Sequence, residues 1–175
     1  MITKLWVALA LTGALPAQDL PLEFLEPLAS KAAQKVEVTL DANLLQIASK
    51  FLDGKDPDDA KVKSLLVGLK GIYVRSFTFK RAGEYSMADV EKLRAQLKAW
   101  NRIVNVESAG ENTGVFVKSD GQKIQGLVVV SAEPTELTVV NLVGTIDPDQ
   151  VKDLGGRFGI PDLRGIVPKP GRGRK

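Results

Sequence analysis

From Arg102 to Ile146 the apolar residues fall into four runs separated by turn residues. In the first, Ile103, Asn105 and Glu107 alternate with Val104 and Val106, and the chain then turns between Gly110 and Gly114. Val115 to Lys118 forms a second run that stops at Asp120-Gly121, a dipeptide suited to a tight hairpin. Lys123 to Ala132 passes through Leu127, Val128, Val129 and Val130 and turns at Glu133-Pro134. Thr135 to Ile146 returns through Leu137 to Val143. Short apolar runs bounded by turn formers predict strands, and this spacing predicts a four-stranded antiparallel meander.

Upstream, the pattern alternates between the two periods. Ile72 to Lys80 sets Tyr73, Phe77 and Phe79 on one face and Ile72, Val74 and Thr78 on the other. Two largely apolar faces predict a strand inside the sheet, with Arg75 as the exception. Ser86-Met87-Ala88-Asp89 is a capping-box variant that opens a helix with Val90, Leu93, Leu97 and Trp100 on one stripe. Before these, Leu20 to Lys35 predicts a helix starting near Pro27, and Val36, Val38 and Leu40 alternate with Glu37 and Thr39 as in a short strand. Asp41 then caps a helix whose expected apolar face is Leu44, Ile47, Ala48 and Phe51. Asp56 caps another, with Pro57 at its first position, a stripe of Val62, Leu65, Leu66 and Leu69, and Gly71 as its stop. After the meander, Asp147-Pro148-Asp149-Gln150 opens a last helix ending at Gly155-Gly156.

The expected fold is therefore α+β, an antiparallel sheet of about five strands covered by N-terminal helices. From Ile72 the order is strand, helix, four strands, helix. The same order occurs in the TATA-box-binding-protein type of fold, where helices lie on one face of the sheet. That likeness concerns element order and carries no function.

Composition changes this picture at the two ends. Lys4, the apolar run from Leu5 to Leu11 and the small residues Gly13, Ala14 and Ala17 resemble a secretory leader, with cleavage expected after Ala17. The run is shorter than the roughly 20 apolar residues of a membrane span. At the other end Arg164, Lys169, Arg172, Arg174 and Lys175 form a basic tail without acids. The expected layout is a leader over 1–17, one domain over 18–162 and a solvated tail over 163–175. Of 24 basic residues, six lie in leader and tail, so 18 face all 21 acidic residues between Gln18 and Asp162. The formal charge of +3 thus belongs to the tail, and a specific nucleic-acid partner is not expected. At roughly 1 kcal/mol per basic residue near an anionic surface, the tail would give weak adhesion at most.

The chain of 175 residues has neither cysteine nor histidine. Disulfides, thiolate or imidazole metal sites, a lipidated cysteine, and serine or cysteine nucleophiles paired with histidine are all excluded. Asp53, Asp56, Asp58 and Asp59 lack EF-hand spacing, and capping accounts for the last three, so no metal or other cofactor is expected. Gly155 to Gly159 ends a helix, the wrong context for a phosphate loop. Nothing singles out two of the acids as a hydrolase pair. No catalytic residue is therefore assigned. Tyr73, Arg75, Trp100 and Arg102, with Arg81 and Tyr85 nearby, have the arginine-aromatic composition of a binding surface. The alternative is that the aromatics are core and the arginines solvated; an arginine on an apolar face would need an acidic partner or a ligand anion.

Val36 to Asp41 leading into Leu44-Leu45, Leu69 to Arg75, Thr138 to Gly144 and Leu154 to Pro161 together resemble a family of exported bacterial proteins, domain of unknown function 4252. The resemblance supplies no activity. It implies the envelope: some members look like lipoproteins, and their genes often lie near extracytoplasmic-function sigma and anti-sigma factors. The expected function is an exported, non-catalytic module of the periplasm or envelope that binds an unknown protein or a small apolar ligand. The alternatives are a carboxylate-dependent hydrolase and tail-mediated adhesion to anionic polymers.

Overall fold

A computed structural model describes residues 20–52, 56–108, 110–121 and 123–147. A 3-10 turn at Glu23–Leu25 leads into α1 (Glu26–Ala29), β1 (Gln34–Asp41), α2 (Ala42–Lys50), α3 (Pro57–Gly68) and β2 (Leu69–Thr78). There follow α4 (Met87–Gln96), β3 (Asn101–Ser108), β4 (Glu111–Asp120), β5 (Lys123–Glu133) and β6 (Glu136–Ile146). The six strands form one sheet in the order β1-β2-β6-β5-β4-β3, with every neighbouring pair antiparallel.

The meander forms as its turn chemistry predicts, and β2 takes an inner position between β1 and β6. The sheet has six strands instead of about five because Gln34–Asp41 pairs along its length with β2. Register aligns like residues across the whole sheet. Val38, Val74, Val140, Val129, Val115 and Val104 stand opposite one another in a single row across all six strands. All but Val38 are buried, each contributing on the order of 2 kcal/mol of transfer free energy.

Both faces of the sheet carry helices, which differs from the one-sided arrangement that the element order suggested. On the face bearing the valine row, Leu45 of α2 and Leu65 and Leu66 of α3 pack against Ile72, Leu127 and Leu142. On the opposite face, Leu22, Leu25 and Leu28 from the N-terminal turns and Val90, Leu93 and Leu97 of α4 pack against Phe77, Val128, Val130 and Val139. The strands between these layers are apolar on both sides because both sides are core.

Local signals set several boundaries. The Asp41 side chain accepts from Leu44 N at 2.8 Å and starts α2, and α3 begins at Pro57. The Ser86 amide and hydroxyl both donate to Asp89 Oδ2, at 3.1 and 2.9 Å, and start α4. That amide hydrogen bond holds the Asp89 carboxyl below its ordinary range. Two expectations are corrected. The helix near Pro27 is only four residues long, since the chain must already be extended at Gln34 to join the sheet. The α2 face is also displaced: Leu45 is buried, whereas Leu44, Ile47 and Phe51 remain exposed. The leader, the helix expected after Asp147 and the basic tail lie outside the described residues.

α3 runs into β2 without a loop, and its end touches the β6 backbone. A Cβ added to Gly144, which has φ +129, would stand 2.5 Å from Gly68 O and 2.7 Å from Lys70 N. Gly144→Ala should therefore lower unfolding stability by about 2–4 kcal/mol, from backbone strain plus overlap. Gly83→Ala, at φ +88 with open space around it, should cost only about 1–2 kcal/mol of local strain. Urea unfolding of the two variants measures the difference, and equal costs would contradict the close approach.

Candidate functional site

The structure separates the arginine-aromatic residues that the sequence groups. Tyr73 and Arg75 stand two residues apart on β2, on the face covered by α4. Arg102 lies exposed on β3, at the far edge of the sheet. Tyr73 and Arg102 occupy one transverse row, but four strand spacings lie between them, about 19 Å at the usual interstrand distance. Trp100 is core: its ring covers Gly126, where an added Cβ would stand 2.8 Å from it. Nearby, Arg81 pairs with Glu84 at 3.6 Å in solvent, and Tyr85 stacks on Phe79 with ring centroids 5.0 Å apart. The Tyr85 hydroxyl donates to the backbone carbonyls of Glu133 and Glu136. Burial is the main influence holding its pKa above the ordinary range, followed by those two carboxylates.

Arg75 has the acidic partner that its position demands. Its Nε lies 2.9 Å from Glu37 Oε1 across the β1–β2 pair, and its Nη1 donates to Val74 O at 2.9 Å. Glu37 Oε2 meets Lys35 Nζ at 2.7 Å. The Lys35 hydrogen bond, then desolvation opposing it, then the Arg75 charge set the balance that holds the Glu37 carboxyl below its ordinary value. The same hydrogen bond raises Lys35. Sequence spacing could not show this, because Glu37 and Arg75 become neighbours only through register.

The groove that the sequence missed lies on the other face, over β1, β2 and β6. It encloses about 300 Å³ and is lined by Val36, Val38, Leu40, Ile72, Val74, Ser76, Glu136 and Thr138. Chain connectivity explains it. β1 leaves the sheet into α2 beyond Leu40, and α3 enters β2 at Leu69, so both helices are tethered at one end of these strands. At the other end Ser76 and Thr138 face each other with oxygens 2.8 Å apart. Both hydroxyls donate to Glu136 Oε1, at 3.2 and 3.0 Å. Glu136 has no ion pair among the described residues. The result is an aliphatic trough with a held carboxylate at one end. Its signal in the sequence is slight: Ser76 and Thr138 interrupt strand faces that are otherwise apolar.

A second polar residue sits in the middle of β6. Asn141 is fully buried between Tyr73 and Val128 in its row, and neither its Oδ1 nor its Nδ2 has a hydrogen-bond partner among the described residues. Among the described residues, no three acidic side chains gather into a metal-sized cluster. Asp53 and the Asp58 side chain, weighed for calcium, lie outside the described residues. Among the described residues, no helix is long and apolar enough to cross a membrane.

The profile of a family described as Domain of unknown function (DUF4252) matches residues 30–154. The chain belongs to that family. No curated protein and no solved structure matches it. The DUF4252 match spans every strand of the sheet, so groove, ion-pair network and Asn141 all lie within it.

Two outcomes follow for this DUF4252 domain. Asn141→Leu, close to isosteric, removes two unpaired buried groups and should raise stability by about 1–3 kcal/mol in urea unfolding; a loss would mean that the amide has a partner in solution. The Glu37 carboxyl should titrate below 4.5 by carbon NMR, with Lys35→Gln raising it more than Arg75→Gln. A lowered carboxyl pKa stabilises the fold above the ordinary value, and that contribution is lost as pH falls through the lowered one. An unshifted Glu37 titration would deny the network.

Proposed function

We propose that this domain is an exported, non-catalytic binding module of the bacterial envelope, and that it takes a small apolar ligand into the groove between β1, β2 and β6. The groove carries the reading. Its volume is at the low end for small-molecule sites, its floor is aliphatic, and its polar groups converge at one end, as in sites that orient an apolar ligand by its head. Glu136, without a cationic partner among the described residues, favours a ligand whose head is a primary ammonium, since a charge-assisted hydrogen bond is roughly twice as strong as a neutral one. The family resemblance and the leader support the envelope as its place, and envelope signalling as the process it serves.

A carboxylate-dependent hydrolase needs two carboxyl groups about 5–10 Å apart across its substrate. The groove lining contains one, Glu136, and this favours binding over hydrolysis. The arginine-aromatic residues have no part in this reading, since they are divided between core, ion pair and far edge.

NMR titration with octylamine, octanol and octanoate tests the site. Octylammonium should shift the amides of Val36, Val38, Val74, Ser76 and Thr138 and bind about tenfold tighter than octanol, a preference worth about 1.4 kcal/mol. Glu136→Gln should abolish that preference. Equal binding of all three compounds would refute the ammonium head and leave an apolar site, whereas no binding by any would refute the groove.

A further inference from the structure

The sheet ends on two strands of different character. β3 is bulged, with its register slipping between Arg102 and Val104. A bulge is a device that keeps an edge strand from pairing, whereas exposed charges occur on both edges. β1 pairs with β2 over eight residues without a register shift, contains no proline, and has no strand on its outer side among the described residues. Of its four residues on the groove side, Val36, Val38 and Leu40 are apolar, and Val36 is 43% exposed.

α2 follows β1 at once and adds to this edge. Its anchor Leu45 points into the core, so Leu44, Ile47 and Phe51, at spacings of three and four, form a separate apolar stripe. They are 44%, 50% and 82% exposed. A regular open strand beside an exposed apolar helix stripe is a surface that a monomer gains nothing from keeping.

We propose that this surface receives a second copy of the chain: β1 pairs antiparallel with β1 of the second copy about a twofold axis, joining the two sheets and bringing the α2 stripes beside the axis. Charge and the length of strand paired together select the register: an axis at Val36 would also set Lys35 against Glu37 of the second copy, but it would pair only Gln34 to Val38. A twofold axis normal to the sheet must set one β1 residue opposite its own copy, so that like faces continue. With Glu37 on the axis, two carboxylates meet. With Thr39 there, Glu37 meets Asp41 of the second copy twice. With Val38 there, Lys35 meets Asp41 of the second copy on each side, Val36 meets Leu40, and Glu37 meets Thr39. Only this last arrangement of the three gives opposite charges and matched apolar pairs together. Capping uses Asp41 Oδ1 and leaves Oδ2, and the Lys35 ammonium, 2.7 Å from Glu37 Oε2 and 3.5 Å from Glu26 Oε2, would share its three donors with Asp41 of the second copy.

The absence of cysteine makes the test direct. In the full chain, Val38→Cys should form an intermolecular disulfide under mild oxidation, because residue 38 alone meets its own copy, while Gln34→Cys should stay reduced. Sedimentation equilibrium should show a dimer for the unaltered chain and at least tenfold weaker association for Lys35→Glu and for Phe51→Asp. The exchange Lys35→Asp with Asp41→Lys should restore association, with circular dichroism confirming that each variant is folded. A chain that stays monomeric through the micromolar range would overturn the proposal. So would cross-linking through residue 34 as readily as through 38, or a dimer indifferent to Lys35→Glu.

Discussion

The pairing of β2 with β6 is the join on which the rest of the structure depends. β3 to β6 is a meander, and its contacts are local in sequence. β1 and β2 form a separate antiparallel pair spanned by α2 and α3. The two parts become one sheet only through β2 and β6, whose register runs from Leu69 opposite Gly144 to Thr78 opposite Glu136. This is a long loop to close, and its cost must be met by what the pairing buries. Both strands supply apolar residues to both faces, so a single pairing completes two cores at once. The contact of the Gly68 region with Gly144 then sets how α3 enters the sheet.

The same join concentrates the polar exceptions. Ser76 faces Thr138 across it, and Tyr73 faces Asn141. The hydroxyl pair is satisfied and continues in register into Ser131 and Thr113, whose oxygens lie 3.2 Å apart, so it forms a polar band parallel to the valine row and two residues from it. A band of this kind fixes register, since a two-residue slip would set hydroxyls against valines. Asn141 is different, because its side-chain amide has no hydrogen-bond partner among the described residues, and an unpaired buried amide costs stability. The groove uses the satisfied group: the Ser76 and Thr138 hydroxyls that pin the register also orient the Glu136 carboxylate.

Much of the fold was legible in the sequence because it rests on local chemistry. Asp120-Gly121, Glu133-Pro134, Asp41, Asp56-Pro57 and the Ser86-Asp89 box each act within a few residues, and each lies where an element starts or turns. What could not be read depends on register and on layers. α2 carries two apolar stripes, one around Leu45 and one through Leu44, Ile47 and Phe51, and periodicity cannot choose which of them meets the sheet. The second, richer in large residues, is the one left outside. Tyr73 and Arg75 are near each other in sequence, as are Trp100 and Arg102, yet the strand order spreads Tyr73 and Arg102 across one face of the sheet, four strands apart. The groove was invisible for the converse reason, since Val36, Ser76 and Glu136 are distant in the chain and become neighbours only across β1, β2 and β6.

β1 takes part in both proposed surfaces, and this couples them. Val36, Val38 and Leu40 form one wall of the groove, and the same residues belong to the open edge strand. In the register centred on Val38, the second copy sets Leu40 beside Val36 and Val38 beside Val38, so each groove gains an apolar neighbour on its open side. A ligand lying along that wall would contact both copies. Pairing would then strengthen binding by the same free energy by which binding strengthens pairing, as linkage requires. The trough is small for a tight monomeric site, and in the proposed dimer the second copy would add apolar contact along its open side.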